Sequence, residues 1–265
     1  MLQPSYWRSP AAGLLPEVRR GRGIANPEVS VIIPAYRLEK RIGLTVRRVS
    51  ALLDKLGLDY EVIVVDDGSP GDGTWVEAMN SCGNGRVKAF RYSVNRGKGY
   101  ALLYGFRHSR GRRIVFFDGD LDVHEGQIEV LLDCLKGADC VITSKWHPAS
   151  KTVATPDRRL LSKCFNLLAR LLTGLRLRDT QTGGKAFRRE VLEDIAPLLT
   201  VKRYAFDVEL LTAVTARGYR IAEAPALYPI VLSRRFKLRE IFRMLLDLLA
   251  VTYRHRIKRQ YVGKG

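Results

Sequence analysis

No stretch of this chain approaches the roughly 20 consecutive apolar residues that a membrane-spanning helix needs, so any contact with a bilayer is expected to be peripheral. No secretory leader is expected from these residues either: "AAGLLP" is too short for its apolar region, and arginines follow it. The four cysteines, Cys82, Cys134, Cys140 and Cys164, show no CxxC spacing. This excludes a zinc framework or a disulfide scaffold and predicts the reduced thiols of a cytosolic protein. His108, His124, His147 and His255 fall in no metal-binding pattern, and none is expected to be catalytic. Internal repeats and low-complexity tracts are absent. Negative charge is also scarce: 27 Asp and Glu face 45 Lys and Arg, a net charge of +18. Such a balance favours a polyanionic partner, whether nucleic acid, an anionic membrane surface or a phosphorylated ligand. RNP, KH and zinc patterns are all lacking, and "KRQYVGKG" and "YWR" interleave cations with aromatics only faintly, so nucleic acid is not the expected partner.

The chain does contain α/β punctuation. "VSVIIPAY" (Val29–Tyr36) and "YEVIVVDD" (Tyr60–Asp67) are continuous β-branched runs of the kind buried in parallel sheets. "VKAFRY" (Val87–Tyr92), "RRIVFFD" (Arg112–Asp118) and "ADCVITS" (Ala138–Ser144) predict three more strands. Helical spacing over Ile42–Leu56, Gly97–Ser109 and Glu125–Lys136 separates them. Later, "RRLLSKCFNLLARLLTG" and "FDVELLTAVTARG" predict helices, "GGKAFRREVL" a short strand running into a helix, and "YRIAEAP" and "ALYPIVL" strands. Alternation of this kind implies an α/β fold with a mostly parallel sheet, which binds ligands beyond the carboxyl ends of its strands. A last helix is expected from near Phe236. Arg235, Arg239 and Arg243 recur on one face, beside an apolar stripe of Leu238, Ile241, Phe242, Leu245, Leu248 and Leu249. The segment 233–265 carries a surplus of +8, and residues 1–27 read as a flexible basic arm.

Against this basic background the acids gather at strand ends. Asp66 and Asp67 close one predicted strand; Asp118, Asp120 and Asp122 follow another at alternate positions. One D-x-D alone reads as a polar loop. Two acidic strand ends in one α/β half predict a common crevice, where carboxylate oxygens suit Mg²⁺ or Mn²⁺ and substrate phosphates complete the coordination.

Taken in order, "VSVIIPAY", "VIVVDDGSPGDGT", "NRGKGYAL" and "FFDGDLD" resemble the family-2 glycosyltransferases of GT-A fold. "RDTQTGGKAFRREV" and "VKRYAFDVELL" extend the resemblance to the branch acting on polyprenyl phosphates. It is most similar to the dolichyl-phosphate β-glucosyltransferases and next to the dolichol-phosphate mannose synthases. The resemblance implies a catalytic domain over 28–232 followed by a basic interface helix and tail over 233–265. It implies an inverting transfer of glucose from UDP-glucose, or mannose from GDP-mannose, to dolichyl or another polyprenyl phosphate. The enzyme would sit at the cytoplasmic face of a membrane, where a separate membrane subunit is a conceivable partner.

The implied roles run residue by residue. Pro34, Ala35, Tyr36, Val65, Asp67, Lys98 and Gly119 would bind the nucleotide; Asp118 and Asp120 would act on the sugar-nucleotide and its metal, with Asp122 as a third metal ligand. The family often reads PAYNE where this chain has Arg37, Leu38 and then Glu39, which leaves Glu39 as well suited to a cap or surface role. Lys145, Arg158, Arg234, Arg235 and Lys237 are candidates to hold the acceptor phosphate, and Arg159 joins the catalytic set. A lipid monophosphate is largely a dianion at neutral pH and needs no general base. Asp207 and Glu209 are therefore expected in sugar recognition or structural pairing; an acceptor hydroxyl would instead need one of them as base. Asp179 would pair with Arg178 or contact the sugar, while Trp146 and His147 would touch lipid or simply pack.

Overall fold

The computed structural model describes residues 17–19, 27–83, 85–150, 152–153, 156–203, 205–228, 230–231 and 238–263. Ten strands are β1 (Glu17–Arg19), β2 (Val29–Ala35), β3 (Tyr60–Asp67), β4 (Val87–Tyr92), β5 (Arg113–Phe117), β6 (Cys140–Ser144), β7 (Thr152–Val153), β8 (Gly184–Arg188), β9 (Ile221–Pro225) and β10 (Ile230–Val231). Eight helices are α1 (Ile42–Lys55), α2 (Gly73–Asn80), α3 (Lys98–Arg107), α4 (Gln127–Cys134), α5 (Pro156–Thr173), α6 (Arg189–Ile195), α7 (Phe206–Ala216) and α8 (Leu238–Thr252).

Eight strands form one sheet in the order β1-β4-β3-β2-β5-β8-β6-β9, and β7 and β10 form a separate parallel ribbon. Six strands of the main sheet run the same way; β1 and β8 oppose them. β3 is buried along its whole length, which explains its unbroken apolar run. The pleat divides the core into two layers. Val31, Ile33, Val62, Val64, Val115 and Phe117 meet α1, α2 and α4 on one face. Ile32, Ile63, Val65, Ile114 and Phe116 meet α3, α6 and α7 on the other. In α1, Ile42, Val46, Val49 and Leu53 supply the buried stripe at helical spacing. In α7 every residue from Phe206 to Val214 is buried, as expected of a helix inside a core rather than on it.

Three differences from the sequence reading have physical causes. Residues 1–27 read as a loose arm, yet Glu17–Arg19 pairs antiparallel with β4, Val18 opposite Phe90, and covers an otherwise open sheet edge. Three residues are too few to show alternation. α2 was hidden by the Gly-Ser-Pro-Gly turn in front of it; Thr74, Trp75 and Ala78 bury its inner face. The apolar stripe of α8 is split between two environments. Met244, Leu248 and Val251 belong to the core, while Phe242, Leu246 and Leu249 are exposed. α8 therefore packs into the domain with one side, against α5 and α7, and shows apolar side chains to the outside with another.

Gly105 in α3 allows that helix to lie on the sheet: a Cβ there would stand 2.5 Å from Ile32 Cγ2 and 3.2 Å from Val65 Cγ2. Alanine at this position gains about 1 kcal/mol of helix propensity but overpacks a closed core at a cost of about 1–3 kcal/mol. Gly105→Ala is expected to lower the urea midpoint, and an unchanged or raised midpoint would show that the helix can retreat.

Candidate active site

The carboxyl ends of β2, β3 and β5 open into a cavity of about 710 Å³. β8 contributes because it runs the opposite way. Phe117 lies opposite Gly184, so the residues leading into β8 meet those leaving β5, and the Asp118 amide donates to the Gly183 carbonyl at 3.0 Å. Gly183 must be glycine for this approach, since a Cβ would stand 2.6 Å from Asp118 Oδ2. Thus β5 delivers Asp118, Gly119 and Asp120, β8 delivers Thr182 and Gly183, and both strand ends line one space.

The D-x-D loop is pinned from α1. Thr45 Oγ1 donates to the Gly119 carbonyl at 2.9 Å, and Arg41 Nη1 donates to the Asp120 carbonyl at 2.8 Å. Leu121 adopts φ 63°, a left-handed conformation that is costly for a branched side chain and typical of functional loops. The chain turns there, and the Asp122 amide donates to Asp120 Oδ1 at 3.1 Å.

Three lysine–aspartate pairs underlie the cavity. Lys98, at the start of α3, reaches Asp118 Oδ1 at 2.6 Å. Lys145, after β6, lies 3.3 Å from Asp179 Oδ2 and also donates to the Gln181 carbonyl. Lys185, only 1% exposed, lies 2.9 Å from Asp207 Oδ1 and donates to the Thr182 carbonyl. Burial acts to raise the Asp207 carboxyl, but Lys185, Lys98 and Lys145 outweigh it and hold the group below its ordinary range. A carboxylate so surrounded is a weak proton acceptor. Asp120 is pushed the other way, first by burial and then by the charge of Asp118. Burial lowers Lys185.

Asp118 and Asp120 fit a divalent cation in donor type, because two hard carboxylates crowded in a partly desolvated space repel each other and a cation relieves the repulsion. Among the described residues no group of three or more Asp, Glu, His or Cys is disposed to hold an ion. Asp122, the expected third ligand, lies beyond the turn at Leu121, 3.9 Å from Arg41, and lines the same cavity; donor phosphates would have to complete the coordination.

The cavity brings together Pro34, Ala35, Tyr36, Asp67, Lys98, Asp118, Gly119, Asp120, Asp122, Lys145 and Asp207 from the expected set. Others lie elsewhere. Val65 is wholly buried beneath α3, one full pleat short of Asp67 at the strand end, and does not reach the cavity. Glu209 is fully buried and accepts the Thr200 and Val201 amides at 2.9 and 2.7 Å, the structural alternative of the two expected. Asp179 pairs with Lys145 rather than Arg178 and accepts the Lys145 amide at 3.0 Å. Arg159 is exposed on α5 and does not line the cavity. The side chain of Arg158, and residues Arg234, Arg235 and Lys237, lie outside the described residues. Glu39 accepts the Thr74 hydroxyl at 3.4 Å near the start of α2, away from the acids.

Asp67 lines the cavity, but its oxygens are engaged by the chain itself. Tyr92 Oη donates at 2.7 Å, the Arg96 amide at 2.8 Å, the Gly97 amide at 2.9 Å and Asn95 Nδ2 at 3.0 Å. It shapes the turn into α3 that presents Lys98. The sequence reading missed Arg203, Arg243, Gln181 and Thr182 as lining residues, and Lys185 beneath them. A lysine inside the otherwise strand-like "GGKAF" was the available signal for Lys185, because a buried ammonium requires a partner.

Residues 30–196 match Glycosyl transferase family 2. The chain belongs to that family. It is 33% identical over 225 residues to the human protein named dolichyl-phosphate beta-glucosyltransferase, covering 78% of this chain and 64% of that one. It is 33% identical over 202 residues to polyprenol monophosphomannose synthase of Mycolicibacterium smegmatis, covering 74% and 75%. Glucosyl-3-phosphoglycerate synthase of Mycobacterium tuberculosis, solved with Mn²⁺, UDP and glucosyl-3-phosphoglycerate, superimposes with a TM-score of 0.62 at 25% identity, over 91% of this chain and 82% of that one. The chain spans from a third to three quarters of the length of the curated relatives it matches. As expected from the sequence, the cavity of this family-2 chain lies beyond the carboxyl ends of its parallel strands.

Removing one member of the deepest pair exposes what it supports. Lys185→Met leaves Asp207 without its nearest cation and should cost about 3–5 kcal/mol of stability, whereas the apolar double change Lys185→Met/Asp207→Leu should recover most of that. Urea unfolding of both variants checks this; equal losses in the two would refute the pairing argument.

Proposed function

We propose that this glycosyltransferase moves glucose from UDP-glucose, with inversion, to dolichyl or another polyprenyl phosphate at the cytoplasmic face of a membrane, giving a β-glucosyl phospholipid. The observation that carries this reading is the composition of the cavity's far wall. Opposite the acids, α5 and α8 supply Leu161, Phe165, Met244 and Arg243. The same two helices also carry exposed apolar side chains: Leu160, Leu167 and Leu171 on α5, and Phe242, Leu246 and Leu249 on α8, with Tyr253 and Ile257 just beyond in sequence. Phe242 is 62% exposed and Ile257 71%, and large apolar side chains shown in this number mark a candidate interaction surface. Among the described residues no helix is long and apolar enough to cross a membrane, so an interfacial seat is the mode of contact proposed. A lipid lying in that seat would present its phosphate to Arg243 and its tail to the apolar side chains.

The chemistry asks little of a base. An acceptor phosphate oxygen attacks C1 of the sugar from the face opposite the departing UDP; the C1–O bond to UDP breaks and its electron pair leaves with the diphosphate. A divalent cation held by Asp118 and Asp120 supplies charge for that leaving group when bound. Lys98 orients Asp118, Arg203 beside the turn into α3 faces the diphosphate, and Pro34, Ala35 and Tyr36 bound the nucleotide end. Asp207, held ionised by lysines, orients rather than deprotonates, which supports a phosphate over a hydroxyl acceptor. UDP-glucose is preferred because a relative's name specifies glucosyl transfer. GDP-mannose is the second reading, since another relative is a mannosyl transferase by name.

A donor screen of UDP-glucose against GDP-mannose, with dolichyl phosphate and Mg²⁺ or Mn²⁺, tests the reaction. Asp120→Asn should reduce turnover by about 10²–10³-fold while folding persists. Phe242→Asp/Leu246→Asp should abolish retention on anionic vesicles without unfolding the domain. Activity only with a water-soluble hydroxyl acceptor would overturn the proposal.

A further inference from the structure

Glu209 offers more than burial. Its carboxylate is fully enclosed and receives donors from two segments distant in sequence. From the segment before α7 come the Thr200 amide at 2.9 Å, the Thr200 hydroxyl at 2.9 Å and the Val201 amide at 2.7 Å. From the segment after α8, Tyr261 Oη donates at 2.6 Å and the Arg254 guanidinium forms an ion pair, its Nη2 3.1 Å from Glu209 Oε1, with Arg254 Nε donating in turn to Tyr261 Oη at 3.1 Å. Tyr261 is wholly buried, and Gln260 Nε2 donates to the Leu198 carbonyl at 2.8 Å, so the tail is fastened at two adjacent points.

What Glu209 grips leads directly to the cavity. Immediately after Val201, the Lys202 carbonyl accepts the Gly99 amide at 2.9 Å, one of the donors that a helix start leaves unpaired. Gly97 adopts φ 99° and lies so close that a Cβ would stand 2.5 Å from that carbonyl and 2.7 Å from Arg203 Cγ. Between these glycines stands Lys98, paired with Asp118, and Arg203 itself lines the cavity. The other end of the relay is the surface we assign to lipid: the π-helical turn Tyr253–Ile257 follows α8 directly and bears exposed Tyr253 and Ile257. Arg256 of the same turn donates to the Leu172 and Leu171 carbonyls of α5 at 2.7 and 3.0 Å, tying both apolar helices to it.

We infer that Glu209, Arg254 and Tyr261 form a buried positioning centre through which the segment after α8 sets the Lys202–Arg203 strut, and through it the placement of Lys98 in the donor cavity. These are positioning residues, since none reaches the cavity. The inference rests on the proposed function in calling that cavity the donor site and the surface after α8 the lipid seat; the coupling between the two segments does not. A charged hydrogen-bonded node is suited to the task because it is directional: rotating the tail by one turn would remove both of its donors from Glu209, whereas an apolar contact would slide.

The test uses the full chain with Tyr261→Phe, Arg254→Met, Arg254→Lys and the double variant Tyr261→Phe/Arg254→Met. A core control, Val191→Ala on α6, matches them in thermal stability. Hydrogen exchange at the amides of Gly99, Thr200 and Val201 should quicken about three- to tenfold in Tyr261→Phe and Arg254→Met, less in Arg254→Lys, and non-additively in the double variant. The KM for UDP-glucose should rise by a similar factor with little change in KM for the lipid phosphate. Exchange at those amides no faster than in the control overturns the inference, whatever the kinetics. Faster exchange in a protein that transfers no sugar would instead uphold the coupling and defeat the proposed function.

Discussion

The compensation of buried negative charge by lysine is the constraint on which the site depends. Asp118, Asp179 and Asp207 arrive from three different parts of the chain, and each meets an ammonium group. Asp179 and Asp207 are buried, where an unpaired carboxylate would carry a heavy desolvation cost, and Asp118 stands at the open side of the cavity with Lys98 beside it. Asp120 shows the alternative: lacking a lysine of its own and crowded by Asp118, its carboxyl is pushed upward, and it is left with an unmet demand for positive charge. A protein with a large cationic excess thus concentrates its acids where that excess can be used, and leaves Asp120 without a lysine pair of its own.

The sheet creates the setting. Parallel strands bring Pro34 to Tyr36, Asp67 and Asp118 to the same end, and their buried runs made that half legible from sequence. The acidic strand ends, the turn carrying Lys98 and the central role of the D-x-D loop were readable for the same reason: short motifs at strand ends keep their chemistry wherever the helices lie. The other half was less legible. Asp207 was recognisable as an acid near the site, but its partner Lys185 sits 22 positions earlier on an antiparallel strand whose neighbours no local pattern reveals. Val65 shares its face of β3 with Asp67 but lies one pleat deeper, under α3, and an unbroken apolar run does not show how far from the strand end the site begins. Of the cations expected to clamp a phosphate, Lys145 lines the cavity, and Arg203 and Arg243, which were not among them, join it because a loop and a helix fold back to it.

α8 illustrates why periodicity alone reads only half of an amphipathic helix. Its apolar residues are more numerous than one face can hold, and the surplus marks a second apolar environment. Met244 and Leu248 answer to the core and Phe242 and Leu249 to the exterior, so one helix joins the interior of the enzyme to its outer surface. With the contacts to Glu209 just past its far end, this helix and the segment after it are fastened to the core at several points.

The reversed strand has a consequence for how the molecule comes into being. β6 has only β8 and β9 as neighbours in the sheet, and β8 is also the strand that closes β5. During synthesis β6 leaves the ribosome with no strand to join, and about 40 residues must follow before β8 appears. The early strands β2, β3, β4 and β5 can assemble among themselves, but β5 keeps a bare edge through that interval, the condition under which a nascent chain is most exposed to mispairing. A fragment ending at Ser144 would hold every early signature of a sugar-nucleotide fold and still lack the floor beneath its own D-x-D.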